Sequence, residues 1–157
     1  MTRITGLATI MSALLLLSSA CTPAKQSFLT VQFCVHNRAG VSQLIDDLKD
    51  VANANDMDFA DSSAATEKNL AAVGYRGRER ADGSPVINVG LLGKDGLFVG
   101  GGNLGLPGYQ VQLGFTTGAD DAKAHRFATQ VVDQLKRRWS LYVLPRGVPA
   151  RPMADCQ

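Results

Sequence analysis

Histidine, cysteine and aromatic side chains are scarce in this chain. It has two histidines, three cysteines and 6% aromatic residues among 157 positions. No sign of charge dominates, because 16 Lys and Arg face 14 Asp and Glu, and the formal net charge is only +2. Such a balance gives no long-range field that would attract nucleic acid or another polyanion. We therefore expect no nucleic-acid partner.

Signatures of common catalytic and nucleotide-binding sites are also missing. The sequence has no G-x-S-x-G, H-E-x-x-H or S-x-x-K pattern. Gly100, Gly102 and Gly105 satisfy G-x-G-x-x-G after a predicted strand, but a dinucleotide site needs a helix next, whose amino end binds the pyrophosphate. Pro107, Gly108 and an alternating strand follow instead. The glycines therefore predict a structural loop or a loop that contacts a peptide.

Candidate metal ligands do not form a complete set. Three aspartates between residues 56 and 61 suggest calcium, but Asp61 stands where an EF-hand loop requires glycine. Cys34 and His36 share one face of a predicted strand and could ligate a metal or form a thiolate–imidazole pair, yet only His125 adds another soft ligand. We expect no catalytic residue, no metal and no small-molecule cofactor.

The first twenty residues have the three parts of an export signal. Arg3 and the amino terminus are positive, residues 7–17 are mainly apolar, and the small residues 18–20 fit a signal peptidase. As a transmembrane anchor the apolar run fails, because a spanning helix needs about 20 residues. The run Leu-Ser-Ser-Ala-Cys at 17–21 resembles the lipobox of bacterial lipoproteins, although Ser18 occupies the place that the family usually gives to leucine. An ordinary secretory signal followed by an incidental cysteine is the alternative.

The resemblance implies that Cys21 carries a diacylglyceryl group and becomes the first residue of the mature protein. Fatty acyl chains of that kind, usually with a third on the amine, hold a protein firmly at a bilayer. In this family an Asp directly after the cysteine retains many proteins at the inner membrane. Thr22 occupies that position here, so the resemblance favours the outer membrane. The resemblance thus implies a cell-envelope protein that faces the periplasm, anchored to the outer membrane where the organism has one.

Hydrophobic periodicity predicts one α+β domain. We expect a signal at 1–20, a tether at 21–27, a domain at 28–145 and an extended, proline-containing tail at 146–157. Alternating apolar residues predict strands, and helical spacing predicts two main amphipathic helices. The strands are expected at 29–35, 86–92, 97–99, 109–115 and 139–144, with short extended pieces at 57–60 and 75–80. The helices are expected at 41–52 and from a Thr117–Asp120 capping box to Lys136-Arg137-Arg138, with a third at 62–73. This order favours an antiparallel or mixed sheet with both main helices on one face, as in ferredoxin-like sandwiches.

Two cysteines remain once Cys21 is assigned to the lipid. In an oxidising compartment the default is that Cys34 and Cys156 pair. Cys34 lies on the strand face opposite the apolar residues, and a tail crossing that face would bring Cys156 within reach. The alternative is a free, buried Cys34 and a frayed tail.

The segment 93–108 is the best candidate for partner recognition. It contains turns and a glycine-rich loop beside Phe98, Leu104, Leu106 and Tyr109, which either bind a partner or fill the core. The sequence favours a non-enzymatic domain that binds another envelope protein. A sharper hypothesis is an immunity protein that masks a toxin delivered into the periplasm; an outer-membrane assembly or structural accessory is the alternative.

Overall fold

The computed structural model describes residues 27–74 and 83–156. The order of elements follows the expected alternation, with one additional short helix near the end. They are β1 (Leu29–Cys34), α1 (Arg38–Ala54), β2 (Asp58–Asp61), α2 (Ser63–Ala72), β3 (Asn88–Leu92), β4 (Phe98–Gly102), β5 (Gln110–Thr116), α3 (Asp121–Lys136), β6 (Tyr142–Leu144) and a 3-10 turn (Ala154–Cys156). The extended piece predicted at 75–80 lies outside the described residues.

The strands form one six-stranded antiparallel sheet. Its order is β2-β3-β4-β5-β1-β6: β3, β4 and β5 form a meander, α2 connects β2 to β3, and β1 pairs with both β5 and β6. The predicted α+β class is confirmed, and the sheet is antiparallel, not mixed. The predicted sandwich is present, and β2, α2 and β3 are additional to the βαββαβ order of ferredoxin-like folds.

Both long helices pack on the same face of this sheet. The inward positions of β1 and β5 are fully buried, and they face the apolar stripes of α1 and α3 in a single core. Burial of this kind supplies most of the stability of a small domain. The core residues of the two strands are Val31, Phe33, Val111, Leu113 and Phe115, and those of the helices include Leu44, Leu48, Phe127, Val131 and Leu135. By contrast, α2 buries none of its residues.

The start of α3 differs from the prediction. Asp120, not Thr117, is the N-cap, and its carboxylate accepts a hydrogen bond from the Lys123 amide at 2.9 Å. The Ala119 amide donates to the Asp95 carbonyl at 3.1 Å, so it already has a partner outside the helix. The chain must therefore pass the β3–β4 turn before the helix begins, and the predicted capping box is wrong by three residues.

Two further boundaries are corrected. The last strand contains only residues 142–144, because the Trp139 amide still bonds to the Leu135 carbonyl and its ring packs in the core, 5.6 Å from the ring of Phe33. The glycine-rich loop expected after the strand at 97–99 begins later, because Gly100–Gly102 belong to β4.

The basic run after α3 contributes more than a favourable charge at a helix end. Arg138 Nε lies 2.9 Å from Asp47 Oδ2, and Asp47 is buried on α1. The pair connects the two helices that cover the sheet. Asp47 is the one buried charged residue of α1, and the pair gives it a partner of opposite charge.

Candidate functional site

The sheet face away from α1 and α3, here called the open face, is divided into two halves. The carboxy-terminal tail crosses the half formed by β1 and the start of β5. Cys34 and Cys156 form a disulfide there, with Cα atoms 5.4 Å apart, and Met153 is 5% exposed. The expected pairing across this face is thus present in the structure. Among the described residues, the other half, around β3 and β4, is covered only at its edge, where Asn88 donates hydrogen bonds to Ser63 and Thr66 of α2.

Two buried glutamines hold the tail by its backbone. Gln110 donates to the Arg151 carbonyl at 2.6 Å and accepts from the Met153 amide at 2.9 Å. Gln32 donates to the same carbonyl and accepts from the Arg151 amide at 3.1 Å. Each side-chain amide therefore replaces a neighbouring strand as hydrogen-bond partner. The tail is fixed as part of the fold, so it is not available as a mobile arm.

The uncovered half contains a shallow groove, here called the glycine trough. Its floor consists of Gly100, Gly102 and Gly114, its sides carry the amides of Asn88 and Gln112, and Leu104 lies at one end. The volume is about 300 Å³. In the register Gly100 lies opposite Gly114, and a Cβ atom on Gly114 would lie 2.5 Å from Ser27 Oγ, which borders the trough on that side. Glycine inside a strand often marks a place where another group approaches closely.

One end of this surface is occupied by the ring of Phe98. A Cβ atom built on Gly100 would overlap that ring, and one built on Gly90 would lie 3.1 Å from it. The ring therefore lies against the sheet backbone, yet Phe98 remains 40% exposed. Its cross-strand neighbour Leu92 is 50% exposed on the same face.

The four residues predicted to contact a partner divide into two groups. Phe98 and Leu104 are exposed, Leu104 by 47%. Leu106 is 9% exposed and Tyr109 packs against the core, so these two mainly fill the interior. Sequence reasoning missed Leu92. Alternate residues of a strand point to the same face, so the spacing of two residues places Leu92 on the open face with positions 88 and 90.

The trough runs between the two ends of the sheet. β1 leads away from Ser27, and Cys34 lies opposite Gln110, so β5 begins at the far end. β4 is antiparallel to β5 and therefore ends there too. Leu104 thus lies at the end of the trough farther from Ser27, and both residues line this groove.

The loop that carries Leu104 is fixed by a buried asparagine. Asn103 is 1% exposed, and its Oδ1 accepts from the Ile87 amide at 2.8 Å. Its Nδ2 donates to the carbonyls of Pro85 and Gly108, at 2.9 and 3.3 Å. The side chain thereby joins both ends of the loop to the segment before β3.

We predict that Asn103→Ala destabilises the domain by about 2–4 kcal/mol, because it leaves a buried amide and two carbonyls without their partner. Chemical denaturation measures the change. Asn69→Ala, on the exposed side of α2, is the control and should change stability by less than about 0.5 kcal/mol. Equal effects of the two substitutions would contradict the role given to Asn103.

A second, polar cleft lies between the β3–β4 turn and α3, with a volume of about 450 Å³. Lys94 Nζ lies 2.6 Å from Asp56, and Lys123 Nζ lies 2.7 Å from Asp95. The hydrogen bond from Lys94 lowers the pKa of Asp56 and raises that of Lys94. The pKa of Asp95 is lowered by the hydrogen bond from Lys123 and then by the Leu97 amide. Within each pair the two opposite charges neutralise each other, and ion pairs at the surface contribute little to the free energy of unfolding.

The predicted soft ligands do not form a site. Cys34 is in the disulfide, so its sulfur is no thiolate, and His36 is exposed, with a φ of 62°. His125 lies on α3 and its ring contacts that of Phe28, with centroids 4.4 Å apart and the ring planes tilted by 54°. Within residues 27–74 and 83–156, no three His, Cys, Asp or Glu side chains are grouped to hold a metal ion. Likewise, no helix in these ranges is long and apolar enough to cross a membrane.

Comparison with protein-family models finds no match to this sequence, and comparison with curated proteins finds none either.

Proposed function

We propose that this protein is a lipid-anchored envelope protein without enzymatic activity, which binds another envelope protein through the uncovered half of its open face. The observation that carries the proposal is the glycine trough with its exposed apolar ends, Phe98 beside Leu92 and Leu104. Exposed apolar groups grouped on one face are typical of interaction surfaces. Masking of a toxin in the periplasm is the form of binding that we favour.

The placement of the tether agrees with this proposal. Six residues separate Cys21 from Ser27, and they span at most about 20 Å when extended. A lipid on Cys21 would hold the Ser27 end of the sheet near the bilayer. Leu104, at the end of the trough farther from Ser27, would then lie on the side away from the lipid, toward a soluble partner in the periplasm.

Leu104→Asp should weaken capture of the partner from detergent-solubilised envelope about ten-fold or more, because a charge would replace an apolar contact in the interface. Its side chain is half exposed, so the melting temperature should change little. Leu106 is unsuitable for this test because it is buried.

Val73→Asp is the matched control. Val73 is 79% exposed at the end of α2, outside the trough. The proposal requires normal capture by Val73→Asp. Equal capture by the native protein and both variants would contradict it. Normal capture of the same protein by the double variant Leu92→Asp/Leu104→Asp would also contradict the proposal.

A further inference from the structure

We propose that the glycine trough binds an extended segment of the partner through its backbone, with the side-chain amides of Gln112 and Asn88 as hydrogen-bond partners. This inference rests on the proposed function, since it names the part of the partner that contacts the same surface. The occupant is thus an extended stretch of small residues whose peptide groups are available for pairing.

The carboxy-terminal tail shows how this face of the sheet binds an extended chain. The Gln32 side chain accepts a hydrogen bond from the Arg151 amide at 3.1 Å and donates to the Arg151 carbonyl at 3.2 Å. The Gln110 side chain donates to the same carbonyl and accepts from the Met153 amide, so it spans two residues of the tail. On the open face, glutamine side chains therefore bind peptide groups with both ends of the amide.

Gln112 continues this arrangement into the trough. It is two residues from Gln110 on β5 and lies directly opposite Gln32 in the register, so all three side chains are on the open face. Unlike these two glutamines, Gln112 makes no side-chain hydrogen bond to another of the described residues. Its amide thus retains a donor and an acceptor for a second chain that lies beside the tail.

Asn88 provides the matching group on the other side of the trough. Gly102 is paired with Asn88 on one side and with Gln112 on the other, and it has no side chain between the two amides. Nδ2 of Asn88 donates to Thr66 Oγ1 at 2.8 Å, which leaves Oδ1 to accept from a backbone N–H. Because neighbouring strands are about 4.8 Å apart, the two residues are separated by about 10 Å, the length of about three extended residues.

The chain's own side chains decide which part of the trough is open. A Cβ atom on Gly100 would lie 2.3 Å from the Phe98 ring, and one on Gly114 would lie 2.5 Å from Ser27 Oγ. These two floor positions are therefore already covered. The open part is the row that contains the two amides, and the half-exposed Leu104 is the apolar side chain that small residues of the occupant would contact.

The test follows the side-chain amides of the mature Cys21→Ala protein by NMR. The probe is N-acetyl-trialanine amide, and its matched control is the depsipeptide in which an ester oxygen replaces the central N–H. We expect the amide probe to shift the Gln112 side-chain NH₂ signals, to slow their exchange with water, and to bind about five-fold tighter than the ester, which lacks one backbone donor. The signals of Gln32 and Gln110 should not change, because the tail already occupies both side chains.

Gln112→Leu should weaken binding of the amide probe about five-fold or more, because it removes the donor and the acceptor at one side of the trough. Gln43→Leu is the matched control. Gln43 is exposed on α1, which packs on the opposite face of the sheet, so this variant should bind the probe as the native residue does.

Several results would overturn the inference. They are the absence of binding by either probe, equal binding of both, signal changes confined to another face, and unchanged binding by Gln112→Leu. If Gln112→Leu fails to fold, the comparison of the two probes on the native surface decides alone. Contacts between tether residues 22–26 and Gln112 in the absence of a probe would also overturn it, because the chain itself would then be the occupant.

The capture experiment separates this inference from the proposed function. Loss of capture by Leu104→Asp together with normal capture by Gln112→Leu would support the proposed function and contradict the backbone pairing. Binding of the amide probe at Gln112 together with equal capture by the native protein, Leu104→Asp and Val73→Asp would contradict the proposed function and support the pairing.

Discussion

Removing the disulfide should destabilise the protein by roughly 4 kcal/mol, and reduction of the native protein should do the same. The bridge joins residues 122 positions apart, and chain-entropy models give about 4–5 kcal/mol for loops of this length. Loss of the bridge also frees the tail to lift away, which would expose Met153 and leave Gln110 without its two hydrogen bonds to the tail. Both effects act in the same direction.

The measurement is chemical denaturation of the Cys34→Ala/Cys156→Ala variant and of the native protein with and without reductant. The double variant is preferred to single ones, because it leaves neither Cys34 nor Cys156 as a free thiol that could form dimers. Reductant should lower the midpoint of the native protein and leave that of the variant unchanged. Identical midpoints for native and variant protein in the absence of reductant would show that the tail is not held through this bond.

Cys21→Ala is expected to release nearly all of the protein from the membrane fraction. Each buried methylene of an acyl chain contributes about 0.8 kcal/mol, so two or more chains hold a protein firmly and their loss leaves little to replace them. Incorporation of a fatty-acid analogue should also disappear. Thr22→Ala, one residue away, is the control and should remain both labelled and membrane-bound.

The decisive fractionation uses carbonate washing without detergent. Continued membrane association of Cys21→Ala would contradict the lipid anchor, and so would a native protein that is soluble and unlabelled. The second of these results would favour the alternative of an ordinary secretory signal. Either result would leave the fold and the trough as described, because the described chain begins at Ser27.

Periodicity predicted the elements with a clear apolar face. α1, α3, β1 and β5 follow their expected patterns because each buries one side in the same core. Boundaries were less accurate where long-range contacts decide them. Thr117 and Asp120 are both suitable caps by residue type, and the choice depends on the bond between Ala119 and Asp95, 24 positions apart. The helix propensity of the residues around the start of α3 does not reveal that contact with the β3–β4 turn.

The candidate site was predicted only in outline. The segment 93–108 contains Phe98 and Leu104, which are exposed, and Leu106, which is buried. All three are apolar, so residue type alone does not tell which of them is exposed. Asn103 sets that difference through contacts with Ile87 and Pro85, which lie 16 and 18 positions away. The roles of Gln32 and Gln110 were missed for the same reason. A glutamine on the polar side of a strand predicts exposure, and the tail that buries these two comes from more than 40 residues later.

The most direct test of binding through the open face is photocrosslinking in living cells. A photoreactive amino acid replaces Leu104 in one strain and Val73 in another, with the lipid attachment site intact. The account predicts a discrete crosslinked species containing a second envelope protein from position 104 and none from position 73. No crosslink from position 104 under conditions where the partner is produced, or the same species from both positions, would contradict it.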